Sequence, residues 1–164
     1  MATKQEVAEA LMASVERAEK VAARLGDKDL VCPVCENGWS VKEVFAHLAS
    51  MGGTPMFFIA MAQRPASGGG GGGGGGAGFD IDAFNKQQVE MRKNKSMAEL
   101  LAEFRQGHEA GIALINSTPD EVLNKEMPDP FRGGMSTALD MIQGSGTEHE
   151  AGHLDEVEAV LRGA

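Results

Sequence analysis

A chain of 164 residues, 42% hydrophobic and 24% charged, has the composition of one ordinary globular domain and is long enough to bury a core. Its 15 Lys and Arg stand against 24 Asp and Glu, a formal charge of −9 with histidines neutral. Such a surface repels phosphate backbones, which excludes nucleic acid as a general partner. Two cysteines make no disulfide framework, and no apolar run approaches the ~20 residues that span a bilayer. The stretch from Met1 to Val15 is charged and amphipathic, without an apolar signal core. A cytoplasmic protein with no membrane partner is the expectation.

Abundant Ala, Glu, Leu and Met, with no Tyr, is helix composition. Val7, Leu11, Val15, Ala18, Val21, Ala22 and Leu25 recur at spacings of three and four, and Gly26 stands at the expected C-cap of this first helix. After a polar stretch from Asp27 to Trp39, Ser40 and Glu43 form a capping box, with Trp39 placed to staple onto Val44. Val44, Phe45, Leu48 and Met51 continue the stripe of the second helix. Pro55 predicts a kink or an end to its regular part, and Arg64-Pro65 its terminus. The nine consecutive glycines at 68–76 have no side chains to bury, so a flexible loop is expected there.

Asp80 or Asp82 can cap a short amphipathic segment through Met91. Ser96 and Glu99 form a second capping box, opening a helix through Leu100, Phe104, His108, Ile112 and Ile115. Thr118-Pro119 starts a short turn or helix ending near Asn124, and the Pro and Gly content of 127–134 predicts a loop. Ser136 is the expected cap of a last helix reaching Leu161, with Gly144 and Gly146 as weak points or close-packing sites. Four long helices with short extra ones in a single domain over 1–164 predict an all-α four-helix bundle.

The four histidines are His47, His108, His149 and His153. His47 shares a face with Val44, Leu48 and Met51. His149 and His153 fall on the stripe Leu139, Ile142, Gly146, His149, His153, Val157, Val160, which reads as the inward face of the last helix. A pair at i, i+4 lets two imidazoles converge on one ion, and His47 is the available third ligand. Three protein ligands with an open position are the catalytic arrangement of a metal. The competing reading is that each ring is buried, neutral and hydrogen-bonded to a neighbour. His108 has no spaced partner and reads as structural.

His149-Glu150-Ala151-Gly152-His153 also fits H-E-x-x-H, in which the Glu would be the general base of a zinc protease. Only 11 residues follow His153, and Glu156 and Ala159 stand where the extended pattern needs Gly and His. Glu150, about 100° round the helix from its neighbour His149, is a weak catalytic candidate. It could support the ligands, and the spacing slightly favours a position facing solvent.

The run Gly38-Trp39-Ser40-Val41-Lys42-Glu43-Val44-Phe45-Ala46-His47-Leu48 resembles the G-W-S/T-V-x-D/E-V-x-A-H-L signature of DinB-like (YfiT-type) bundles. The segment from His149 to Val157 is similar to their H-x-x-x-H-L motif. The resemblance covers most of the chain in helix order. It implies that His47, His149 and His153 hold a divalent metal such as zinc or nickel. It also implies relatives such as mycothiol-dependent maleylpyruvate isomerase and bacillithiol S-transferases, which use a low-molecular-weight thiol cosubstrate. The glycine run departs from the family where a segment follows the second helix.

Cys32-Pro33-Val34-Cys35 is a single C-x-x-C, too little for a structural zinc site and without a βαβ context. It reads first as inert thiols, then as a redox pair or a contributor near the metal. Glu156 and its acidic neighbours Asp155 and Glu158 read as a solvated face. Arg105 and Arg132 could meet an anionic substrate, but no pattern selects them. The leading expectation is therefore a metal-dependent enzyme acting on a small molecule, as a thiol-dependent transferase or isomerase or as a hydrolase. A non-catalytic metal- or ligand-binding bundle is the alternative and the protease a minor one. Homodimerisation is expected for bundles of this type, though no register or patch supports it.

Overall fold

The structure, a computed structural model, describes residues 1–34, 38–65 and 80–163. The glycine loop expected at 68–76 and Cys35 lie outside the described residues. The helices are α1 (Lys4–Ala22), α2 (Asp27–Leu30), α3 (Val41–Ser50), α4 (Thr54–Gln63), α5 (Ile81–Met91), α6 (Met97–Ser117), α7 (Asp120–Leu123), α8 (Ala138–Met141) and α9 (His149–Leu161). A 3-10 turn, Met51–Gly53, joins α3 to α4, and a π-helical segment, Ile142–Glu148, joins α8 to α9. The four rods of the bundle are α1, α3–α4, α6 and α8–α9, with α5 packed on α3.

Local chemistry sets most boundaries. Both predicted capping boxes form: Ser40 Oγ accepts from Glu43 N at 3.3 Å, and Ser96 Oγ accepts from Glu99 N at 3.2 Å. A third, Thr3 with Glu6, opens α1. The helix break before Pro55 falls where its ring forbids regular continuation. Two boundaries differ from expectation. Helix α1 ends at Ala22, so Leu25 is outside it, and Gly26 instead precedes α2, its N–H donating to Asp29 Oδ2 at 2.7 Å. Thr137, not Ser136, caps α8, because Ser136 is taken up in β2 (Met135–Ser136), antiparallel to β1 (Met127–Pro128).

The rods approach closely at glycines on α6. A Cβ on Gly107 would lie 2.6 Å from Gly52 Cα, and one on Gly111 would lie 2.7 Å from Pro55 Cγ. The 3-10 turn and the start of α4 therefore rest directly on the α6 backbone. The rod Val41–Gln63, with mean hydropathy 1.4, is long and apolar enough to cross a membrane, contrary to the expectation that no run approaches that length. Half of its most apolar window is buried inside the bundle, as a core helix requires.

The core is two apolar clusters. One gathers Val15, Ala18, Val44, Phe45, Leu48, Leu100, Phe104, Leu154 and Val157; the other gathers Val7, Leu11, Phe58, Ile59, Ile115, Leu139 and Ile142. On three helices the residue between the clusters is polar and buried: Ser14 on α1, His108 on α6 and Glu150 on α9. A polar layer thus crosses the bundle at mid-height.

Candidate metal centre

The capping box at Ser40 fixes where α3 starts, and His47 lies two turns in, 4% exposed, facing α9. On α9, His149 and His153 stand one turn apart. His149 Nε2 lies 3.4 Å from His47 Nε2 and 3.1 Å from His153 Nε2. The donor atoms of all three lie within 4.8 Å of one another, so the group could hold one metal ion. Two nitrogens bound to one tetrahedral ion at about 2.0–2.1 Å would lie roughly 3.3–3.4 Å apart, and the observed spacing fits that.

The hydrogen-bonding pattern points the same way. His153 Nδ1 lies 3.1 Å from Glu156 Oε2, so a neutral His153 carries its proton on Nδ1 and presents a bare Nε2. That lone pair faces a second ring whose Nε2 can donate to only one of its two neighbours. His47 Nδ1 is buried with no hydrogen-bond partner in the described structure. Three imidazoles turned onto one point with so few protons to share suit a cation between them. Burial drives the His47 pKa down to about 3, with His153 and His149 adding to the shift. Partial desolvation of its ring also lowers His149, helped by His153 and opposed by Glu150 and Glu156. Both rings are therefore neutral near pH 7, the form that binds metal. The indole of Trp39 backs the group, its centroid 5.0 Å from that of His47 and 6.4 Å from that of His153.

The expected inward stripe of the last helix needs correction. His149 is exposed and His153 half-buried; the buried line on α9 is Glu150, Leu154 and Val157. The π-helical segment is the reason. Over its wider turns the inward face advances from Ile142 through Gly146 to Glu150, rather than to His149 where two regular α-helical turns would bring it. The two histidines are thereby turned from the core axis towards α3.

Glu150 is likewise not solvent-facing but 1% exposed. It accepts from Ser14 Oγ at 2.5 Å and pairs with His108 Nε2 at 3.1 Å, while His108 Nδ1 meets Phe104 O at 3.0 Å. Its carboxylate is thus committed to α1 and α6, which leaves it poorly placed as the base of an H-E-x-x-H protease. His108 is structural, as expected, but its partner is Glu150, a pairing over 42 residues that no local spacing reveals. Arg105 is held by Glu19 and Arg132 by Glu148, and neither faces the histidines as a free cation. Glu156 lies on the exposed face as expected and in addition meets His153 Nδ1. Cys32 is half-buried, its Sγ 3.4 Å from Lys28 O.

A cavity of about 780 Å³ opens onto the group. His47 and His149 close one end, and Phe57, Phe58, Phe84 and Phe131 line its walls. A shallower depression of about 450 Å³ beside Met1 and Asp140 contains no histidine.

The model of the DinB superfamily matches residues 10–157. Among solved structures the chain is similar to YfiT from Bacillus subtilis, described as a probable metal-dependent hydrolase with an unusual four-helix bundle topology. The TM-score is 0.71 at 19% identity, over 97% of this chain and 86% of that one. Among curated proteins no match is found. Signature, bundle and family match agree: the chain belongs to the DinB superfamily.

Proposed function

We propose that the protein is a metal-dependent enzyme in which His47, His149 and His153 hold one divalent cation, zinc or nickel, and the adjoining cavity receives a small-molecule substrate. The observation that carries this reading is the convergence of three Nε2 atoms, 3.1 and 3.4 Å apart, at the end of a cavity. A divalent ion there supplies Lewis acidity, which brings a bound water or thiol towards a pKa of ~7. The chain's part is to keep His47 neutral by burial, to hold the His149 pKa down by partial desolvation beside His153, and to fix the His153 tautomer through Glu156.

Hydrolysis is the favoured reaction, in keeping with the description of YfiT. Thiol-dependent transfer, implied by the family resemblance, is the second reading and differs only in what occupies the open position. Untagged protein should carry one zinc or nickel per chain by elemental analysis, and His153→Ala should lose it with the helical circular dichroism kept. Stoichiometric metal surviving replacement of all three histidines would overturn the site. Turnover of ester and amide panels without added thiol would support hydrolysis, and turnover only with a thiol would support transfer. A metal-loaded protein inert in both would favour the non-catalytic bundle.

A further inference from the structure

We propose that the cavity selects substrates with a neutral, apolar, ring-sized body, held by Phe57 and Phe131 over the buried Phe58, which presents its polar group to the histidine end. This inference rests on the metal-enzyme reading and adds the substrate class. Three observations carry it. The volume, about 780 Å³, is that of a site for a drug-sized molecule. The wall is an aromatic chain: the Phe57 and Phe58 rings are 5.3 Å apart at 70°, and the Phe58 and Phe131 rings 6.0 Å apart at 85°. Phe58 is buried in the core and braces the two outer rings, so the faces open to a guest are those of Phe57 and Phe131. Phe57 and Phe131 are 38% and 48% exposed, and Ile81, also lining the cavity, is 41% exposed. Large apolar side chains half-open around one concavity mark a ligand site rather than ordinary surface.

The third observation is charge. Among the described residues, the ionisable ones lining the cavity apart from the histidines are Arg132 and Glu148, and they hold each other at 2.7 Å. Gly144 permits this, since a Cβ there would lie 2.2 Å from the Arg132 guanidinium. Among the described residues the wall therefore offers no uncompensated charge, and the net charge of −9 disfavours an anionic body.

The test uses the full chain with and without zinc. Acetohydroxamate and benzohydroxamate share a metal-binding head and differ in the ring. Benzohydroxamate should bind the zinc-loaded protein about tenfold tighter or better. Phe131→Ala and, as a second variant, Phe57→Ala should shrink that gap severalfold while leaving acetohydroxamate affinity and zinc content unchanged. 4-Carboxybenzohydroxamate should lose the advantage of the ring. Equal affinity of the two unsubstituted hydroxamates, a gap untouched by both variants, or a gain from the carboxylate would overturn the proposal. The neutral dye N-phenyl-1-naphthylamine tests the cavity without metal. Dye binding that depends on Phe131 in a protein taking up no zinc would uphold the apolar cavity and overturn the metal reading. A zinc-binding protein that ignores the dye would overturn only the substrate class.

Discussion

Glu150 carries the most consequential single contact outside the histidine group. Both ring nitrogens of His108 face acceptors, Phe104 O and the Glu150 carboxylate, so a proton must sit between His108 Nε2 and Glu150. With Ser14 donating to the same carboxylate, three helices are tied through one buried group. Glu150→Ala leaves a buried imidazole and hydroxyl without a partner, and should cost about 3 kcal/mol or more of stability. Glu150→Gln, whose amide can still donate to a neutral His108 and accept from Ser14, should cost clearly less. Urea unfolding checks both. Equal losses would mean that packing, not hydrogen bonding, sets the value of the site. The histidine pair on α9 was legible because its i, i+4 spacing is local. The role of Glu150 was not, since its partners are 136 and 42 residues away.

At the scale of elements, glycines decide where rods can touch. Gly107 lies inside α6, where alanine would gain up to ~1 kcal/mol of helix propensity. The gain is outweighed, because the new Cβ would meet backbone at 2.6 Å and backbone cannot rotate aside. Gly107→Ala should therefore destabilise by about 1–3 kcal/mol. Gly152, within α9 and with nothing within 4 Å of a Cβ, is the control: Gly152→Ala should stabilise by up to ~1 kcal/mol. Thermal unfolding of the two variants should move in opposite directions. The π-helical segment shows the converse case. Sequence spacing marked Gly144 and Gly146 as weak points or close-packing sites, yet could not say that the helix widens there and shifts the inward line by one residue.

For the molecule as a whole, the buried imidazole of His47 and the partly desolvated one of His149 make stability of the metal-free chain depend on pH. In the unfolded chain a histidine titrates near 6.5, whereas folded His47 is held down to about 3. The unfolded state therefore binds more protons below 6.5, so this contribution is complete above that pH and is lost progressively down to about pH 3. His149 acts in the same direction. The lowered carboxylates, such as Glu19 and Asp140, contribute only nearer pH 4. Between pH 7 and 5 the unfolding free energy should fall by at most about 1.4 kcal/mol per pH unit per histidine. Zinc should steepen the loss, because protons and metal compete for the same rings. A flat profile across that window in the metal-free protein would show that His47 is not held neutral in the folded state.

The capping boxes at Ser40 and Ser96, the break at Pro55 and the His149–His153 pair were set by interactions within a few residues along the chain. Hydrogen bonds that close over three or four positions leave a periodic trace in the sequence. Which face of α9 turns inward, which carboxylate is buried, and the neutral aromatic cavity beside the histidines depended on rods packing against one another. Those contacts join residues far apart in the chain, and their geometry is fixed only when backbones meet at glycine and a helical turn widens to let them pass.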